Sequence, residues 1–261
     1  MSHKVKSKDG TSIAYDEAGH GRSVVIVGGV IGDRSQQAPV AELLTNDFTV
    51  YNFDRRGHGE SGDTPPYAPE REIEDLDAVI QAAGGNAFVY GTSGPGVIAL
   101  RAAAAAPGAR MKKLAIWEPP FIVADSRPRV RSDYKQELES LLKQGRRGDM
   151  IALFFTDSVG MPAQLVDQMR QAPWWSAQEA LAHTTINDAT LMGDFSIPRT
   201  EIARIKVPTI VIDGGTMPWI SKSADIVAAA ISNAKRLTLT GQPHNVDPAV
   251  IAPALVEFFK S

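Results

Sequence analysis

The stretch VYGTSGPGVIAL, residues 89–100, places one hydroxyl side chain between a predicted buried strand and a predicted helix. The apolar run AFVY at 87–90 is typical of a strand, and it ends at a glycine. The hydroxyl residue, Ser93, is then surrounded by small residues before helix-forming residues begin. The glycines around it are Gly91, Gly94 and Gly96.

Two interpretations of Ser93 follow from this turn. A serine on a tight turn between strand and helix holds its hydroxyl above the sheet, beside the free N–H groups of the helix start, as a nucleophile requires. A serine in this place is also a common helix N-cap, and Gly-x-Ser-x-Gly occurs often by chance. We expect Gly91 and Gly94 to be needed because a Cβ at either position would collide where strand and helix approach.

The composition limits the classes of protein to consider. A chain of 261 residues, 43% hydrophobic and 22% charged, can bury one large core as a single domain. A net charge of −3 without long blocks of like charge argues against a nucleic-acid partner. The sequence has no cysteine, which excludes disulfides, thiolate catalysis and cysteine metal sites. Without a signal-peptide pattern or a long apolar run, we expect a cytoplasmic protein with no membrane partner.

Short apolar runs alternate with segments of helical spacing along most of the chain. This alternation favours a mostly parallel sheet covered by helices on both faces, an α/β fold. The turn signal Asp9-Gly10 joins residues 3–7 and 11–16 into a predicted hairpin at the sheet edge. The other predicted strands are 24–28, 48–53, 86–90, 113–117, 208–213 and 235–239, and the predicted helices are 38–45, 71–84, 95–106, 221–232 and 248–260.

The alternation stops in the second half of the chain. Residues 121–203 contain no convincing strand, and DYKQELESLLKQG and PAQLVDQMRQA have helical spacing between glycines and prolines. We predict that 121–203 form a helical cap insertion, and that 1–120 and 204–261 form the core. A cap over the carboxyl edge of the sheet would enclose a pocket where open α/β sheets bind ligands.

Four more segments carry glycines or charges where predicted strands end: VVIVGGVIGD at 24–33, NFDRRGHGESG at 52–62, PTIVIDGG at 208–215 and TGQPHNVD at 240–247. With the turn at Ser93, they make the sequence resemble the α/β-hydrolase family over nearly its whole length. The resemblance implies an α/β-hydrolase fold with Ser93 at the nucleophile elbow. The family's D-x-R-G-x-G-x-S loop is matched by Asp54, Arg56, Gly57, Gly59 and Ser61.

The resemblance also implies a catalytic base and acid. The family's histidine lies on the loop after the last strand, and of five histidines only His244 stands there. An imidazole is needed because a serine hydroxyl is a weak nucleophile until its proton can be taken. The usual acid position, after the strand PTIVID, holds Met217, which cannot orient an imidazole.

Some families of this fold, the haloalkane dehalogenases among them, take the acid from the end of the preceding strand. That strand ends here as LAIWEPP, so Glu118 is the predicted triad acid. The alternative is that Glu118 only caps a loop or pairs with an arginine. Asp213 and Asp125 are the reserve acids.

The resemblance implies an oxyanion hole made by two main-chain N–H groups. Gly94, just after the nucleophile, supplies one of them. The second follows the first parallel strand, usually in a His-Gly-x stretch, and Val30 in Gly28-Gly29-Val30 takes that place. Pro95 is a departure, since the elbow normally has a small residue there, although proline is accepted in the first turn of a helix.

A serine nucleophile favours acyl chemistry over the aspartate chemistry of dehalogenases and epoxide hydrolases. We expect a serine hydrolase that cleaves a small carboxylic ester, lactone or related acyl substrate through an acyl-enzyme. A cofactor-independent haloperoxidase, a C–C bond hydrolase, a non-hydrolytic lyase or cyclase, and a ligand-binding relative stay open. The aromatic residues predicted to bind substrate are Trp174, Trp175, Phe121 and Trp219.

Few other partners are implied by the sequence. No histidine and carboxylate cluster has metal-ligand spacing, and GTSGPG lacks the glycine spacing of a dinucleotide site and the lysine of a phosphate loop. We therefore expect no metal and no cofactor, a small-molecule substrate as the partner, and a monomer or homodimer.

Overall fold

A computed structural model of the chain describes residues 2–105 and 110–261. Eight strands form its central sheet. They are β1 (Ser2–Lys6), β2 (Ser12–Gly19), β3 (Ser23–Val27), β4 (Thr49–Phe53), β5 (Ala87–Thr92), β6 (Met111–Trp117), β7 (Thr209–Gly215) and β8 (Ala234–Gln242).

The strands lie in the order β1-β2-β4-β3-β5-β6-β7-β8. In this order, each strand from β4 onward is parallel to its next neighbour. Strand β2 runs antiparallel to both of its neighbours, β1 and β4. The predicted mostly parallel sheet with a hairpin at its edge is therefore confirmed. In this order β5, β6, β7 and β8 are consecutive neighbours, and their carboxyl ends form one edge of the sheet. Ser93, Glu118 and His244 follow β5, β6 and β8, so they lie along this edge.

Helices cover both faces of the sheet. The predicted helix 95–106 begins earlier, at Ser93, and its last residue lies outside the described residues, as does Met1. The helices of the sheet layers are α1 (Ala38–Leu44), α2 (Pro69–Ala82), α3 (Ser93–Ala104), α10 (Pro218–Ala230) and α11 (Pro248–Lys260).

The pleat of each parallel strand sends alternate side chains to opposite faces. On β6, Leu114 and Ile116 enter the apolar cluster beneath α2, α3 and α10, while Ala115 and Trp117 enter the cluster beneath α1 and α11. Because both faces of the central strands β3 and β5 are buried, these two strands are apolar at most positions rather than at alternate ones.

The chain between β6 and β7 is helical. Its helices are α4 (Tyr134–Lys143), α5 (Arg147–Leu153), α6 (Ala163–Met169), α7 (Trp175–Ala180), α8 (Thr184–Met192) and α9 (Arg199–Ile202), with a π-helical turn at Phe154–Val159. Buried side chains of this segment, including Leu138 and Leu191, belong to the same apolar cluster as Ile98 of α3. The division into a core and a cap at 121 and 203 stays a prediction. None of the helices in the described parts of the chain is long and apolar enough to cross a membrane.

Candidate active site

Ser93 is the first residue of α3 and has a backbone φ of +53°. A positive φ is unusual for a residue with a side chain and is often found where a structure holds a functional group in place. The N-cap of the helix is Thr92, so Ser93 does not occupy the capping position. Its Oγ lies 3.1 Å from Nε2 of His244. The geometry is that of a serine facing a base.

The close approach of β5 and α3 requires glycine at one of the two positions that we predicted. A Cβ on Gly91 would lie 2.8 Å from the Cα of Gly96, which is backbone and cannot move aside. At Gly94 the prediction is wrong, because the nearest atom to a Cβ there would be Cγ2 of Val30 at 3.7 Å, an ordinary contact. The tight crossing therefore lies between Gly91 and Gly96, which is two residues after Gly94 in α3.

His244 also contacts Glu118. Its Nδ1 lies 2.5 Å from Oε2 of Glu118, whose side chain is fully buried at the end of β6. The other carboxylate oxygen, Oε1, accepts a 3.0 Å hydrogen bond from the N–H of Gly214. A Cβ on Gly214 would overlap the main-chain carbonyl group of Gln242, the last residue of β8, so glycine at 214 allows the ends of β7 and β8 to approach this closely. The histidine loop can therefore pass close over the end of β7.

The reserve acids are engaged elsewhere. Asp213 accepts hydrogen bonds from Ser221, from Thr238 at 2.8 Å and from the Gly215 N–H at 3.2 Å, and it pairs with Arg236 at 2.8 Å. Burial by itself raises the pKa of its carboxyl, but these donors outweigh burial and lower the pKa.

Asp125 is exposed in a turn, and Met217 is the N-cap residue of α10. Of the acids considered from the sequence, Glu118 is the one that contacts the imidazole. Its role in catalysis stays a prediction.

The two residues predicted to supply the oxyanion donors, Gly94 and Val30, lie close together. Gly94 lies in the first turn of α3, where main-chain N–H groups have no intrahelical acceptor. The Val30 side chain faces it, since Cγ2 of Val30 lies 3.7 Å from the point where a Cβ on Gly94 would stand. Pro95 is also in this first turn, and α3 continues without a break to Ala104. Val30 lies between two residues of positive φ, Gly29 at +89° and Ile31 at +49°.

Side chains of the D-x-R-G-x-G-x-S segment hold the main chain around Val30. Nδ1 of His58 lies 2.7 Å from the carbonyl oxygen of Gly32, so this nitrogen carries the proton. Nη1 of Arg55 donates to the carbonyl oxygen of Gly29 at 3.4 Å. Burial, and next the positive charge of Arg55, lower the pKa of the His58 imidazole to about 4. His58 is therefore neutral at pH 7 and acts here as a fixed donor.

Arg55 also connects this segment to the helices between β6 and β7. Its guanidinium makes two hydrogen bonds to Glu72 of α2, at 2.6 and 2.7 Å, and lies 2.9 Å from Oδ1 of Asp188 on α8. All three side chains are buried. Burial raises the pKa of the Asp188 carboxyl, although Arg55 opposes the rise. No sequence motif indicates this group, because its members come from three separate parts of the chain.

The four aromatic residues predicted to bind substrate lie in different environments. Phe121 is 1% exposed, and Trp175 is buried with its indole N–H donating to Glu179 at 2.9 Å. Trp174 is 43% exposed, and Trp219 lies beneath the Arg127 guanidinium at 4.8 Å. Phe121 and Trp175 are thus packing residues in this structure, and substrate binding by all four stays a prediction.

Within residues 2–105 and 110–261, no group of three or more His, Asp or Glu side chains is placed to hold a metal ion. The arrangement at Ser93 needs none for proton transfer. The imidazole can accept the Ser93 proton at Nε2 while Glu118 holds the proton on Nδ1, and the N–H groups of Val30 and Gly94 stay the predicted oxyanion donors. Such a set of groups can stabilise a tetrahedral oxyanion formed by attack of the serine on an acyl carbon.

The chain is similar to known proteins in sequence and in fold. The family model described as the Alpha/beta hydrolase family matches residues 19–254. A curated relative, the AB hydrolase superfamily protein YisY of Bacillus subtilis (strain 168), is 28% identical over 228 residues, which are 82% of this chain and 81% of that protein.

Solved structures give the same result. An alpha/beta hydrolase from Sphaerobacter thermophilus DSM 20745 is 52% identical and superposes with a TM-score of 0.93 over 98% of this chain and all of that one. An esterase from Exiguobacterium antarcticum is 20% identical, with a TM-score of 0.78 over the full length of both chains. The second likeness shows a shared fold.

Proposed function

Because this chain belongs to the Alpha/beta hydrolase family, we propose that it is a serine hydrolase that cleaves a small carboxylic ester, lactone or related acyl substrate. One observation carries the proposal. Ser93, His244 and Glu118 form a continuous chain of contacts, with 3.1 Å from Oγ to Nε2 and 2.5 Å from Nδ1 to Oε2. We infer further that the enzyme acts on a small molecule without a metal ion or cofactor.

In the proposed reaction, Ser93 Oγ attacks the acyl carbon while its proton moves to Nε2 of His244. Glu118 accepts the hydrogen bond from Nδ1–H and balances the charge of the imidazolium. The imidazolium then gives its proton to the leaving oxygen, and the bond between this oxygen and the acyl carbon breaks. Water attacks the acyl-enzyme, loses a proton to Nε2 and releases the acid, with Ser93 regaining a proton.

The negative oxygen of each tetrahedral intermediate lies between the N–H groups of Gly94 and Val30. Loss of one such donor commonly reduces kcat by about 10²- to 10³-fold. The contacts of His58 and Arg55 with the Gly32 and Gly29 carbonyls support this role, because they fix the main chain on both sides of Val30.

The test is an activity screen with p-nitrophenyl esters and lactones of graded size, with S93A measured beside the wild type. We expect hydrolysis of at least one short acyl substrate. With a p-nitrophenyl ester, we expect an initial burst of nitrophenol in the first turnover, followed by a slower steady state. A fluorophosphonate probe should label the wild type and not S93A. No labelling of folded wild type and no hydrolysis of any ester or lactone would contradict the proposal.

The alternatives are separated when the screen is extended to a vinylogous diketone and to a halide with peroxide and is combined with the fluorophosphonate probe. This fold is shared with an enol-lactonase, a bromoperoxidase and a meta-cleavage product hydrolase. A C–C bond hydrolase or haloperoxidase would be labelled by the probe but would turn over a vinylogous diketone, or a halide with peroxide, faster than any ester. A ligand-binding relative would not be labelled.

A further inference from the structure

Trp117 makes a second contact between β6 and the catalytic histidine. It is the residue before Glu118, and its indole Nε1–H donates to the main-chain carbonyl oxygen of His244 at 2.9 Å. Two consecutive residues therefore hold His244 through different atoms. Glu118 contacts the ring, and Trp117 contacts the main chain.

The indole is rigidly placed. Trp117 is 2% exposed and lies in the apolar cluster beneath α1 and α11, together with Tyr90, Ile212 and Leu255. Its N–H is the only polar atom of the side chain, and a buried indole N–H normally needs an acceptor. The His244 carbonyl supplies that acceptor, so the packing of the sheet face determines where the carbonyl stands.

The histidine loop needs such a contact because of the strand order. His244 follows β8, whereas Ser93 follows β5, and β6 and β7 lie between them. Neighbouring strands are about 4.8 Å apart, so the loop must lean across the sheet edge to bring Nε2 to Oγ. The residues on either side of His244, Pro243 and Asn245, are exposed, and the His244 side chain is itself 39% exposed.

We propose that Trp117 is a positioning residue for the proposed acyl transfer, and that its indole N–H fixes the main chain of His244 at the distance Ser93 requires. This inference rests on the proposed function, in which His244 is the base. Misplacement of a catalytic group by about 1 Å can reduce turnover roughly 10²-fold. Since the indole acts through His244, its loss changes kcat and leaves KM largely unaltered.

The direct test replaces the indole N–H while keeping the ring system. Trp117 is exchanged for 3-benzothienylalanine, which has the shape of tryptophan with sulfur in place of N–H, and W117F is made as the genetically encoded variant. F259L is the matched control, because Phe259 is fully buried in the same cluster and makes no contact with His244 through a polar atom. Each protein is assayed for kcat, KM and the rate of fluorophosphonate labelling.

We expect the benzothienyl protein to lose 10- to 100-fold in kcat and in labelling rate, with KM within about twofold. F259L should lose thermal stability while keeping its labelling rate. A benzothienyl protein that labels and turns over like the wild type would overturn the inference. Equal losses in F259L and W117F would do the same, because they would indicate general loosening of this face.

A proton spectrum gives a readout that does not depend on turnover. The proton on Nδ1 of His244, in a 2.5 Å contact with Glu118, should give a resonance far downfield of the amide region. We expect it in the wild type and in F259L, and we expect it to broaden in the benzothienyl protein. If the wild type neither labels nor hydrolyses, the proposed function fails, and this resonance still decides whether Trp117 fixes His244.

Discussion

Glu118 and His244 meet at the end of β7, the strand that lies between the two strands from which they come. The N–H of Gly214 on β7 binds the second oxygen of the same carboxylate. An acid on β6 is one strand nearer to the Ser93 turn than an acid on β7. This position allows one carboxylate to be tied to β6, β7 and the histidine loop at once.

Exchange of Ser93 for alanine should abolish turnover without unfolding the protein. The attacking oxygen is lost, and the remaining donors can only bind the substrate, so we expect kcat to fall by several orders of magnitude. Circular dichroism and the melting temperature should stay close to those of the wild type. An S93A protein with a tenth of the wild-type activity would remove Ser93 from the mechanism.

Glu118→Gln should reduce kcat by roughly 10³- to 10⁴-fold, since an amide cannot balance the imidazolium charge. The matched control is Asp213→Asn, which also neutralises a buried carboxylate at the end of a neighbouring strand. Because Asp213 binds Ser221, Thr238 and Arg236, we expect D213N to lose stability and to keep kcat within a few fold. The reverse pattern in the two variants would assign the acid to Asp213.

Alanine at Gly91 and alanine at Gly94 should have different effects on stability. A Cβ at position 91 meets backbone at 2.8 Å, so we expect G91A to lower the free energy of unfolding by about 1–3 kcal/mol. A Cβ at position 94 meets only a methyl group at 3.7 Å, and G94A should stay within about 0.5 kcal/mol of the wild type. Urea denaturation at pH 7 measures both values. Equal losses of unfolding free energy would show that positions 91 and 94 leave equally little room for a Cβ.

His58 should make the protein sensitive to mild acid. Its pKa is about 4 in the folded protein and about 6.5 in an unfolded chain, so the unfolded state binds the proton more tightly. The stability that this difference provides is complete above pH 6.5 and is lost as the pH falls to 4, by about 3 kcal/mol.

The variant H58N keeps a donor for the Gly32 carbonyl and has no group that titrates in this range. We expect its free energy of unfolding, measured at intervals between pH 7 and pH 4, to fall by about 3 kcal/mol less than that of the wild type. H20N, at an exposed histidine, serves as the control and should follow the wild-type curve. Parallel curves for H58N and the wild type would show that His58 is not the group responsible.

The sequence by itself determined the eight strands, their alternation with helices, and the place of Ser93 between β5 and α3. These features are local, because apolar runs, turn residues and helical spacing act over a few neighbouring positions. The resemblance carried by the motifs added the order of the chemical groups. It also drew attention to Glu118, since Met217 occupies the usual acid position.

Only the tertiary structure decided which of these groups meet. Glu118 and Ser93 are 126 and 151 residues from His244 in the chain, and their contacts depend on the order of four strands. The tolerance at Gly94 depends on the space beside Val30 after β3, and the low pKa of His58 depends on burial by distant segments. Trp117 is the last residue of the predicted strand 113–117, and its contact with the His244 carbonyl exists only because β8 ends within reach of β6.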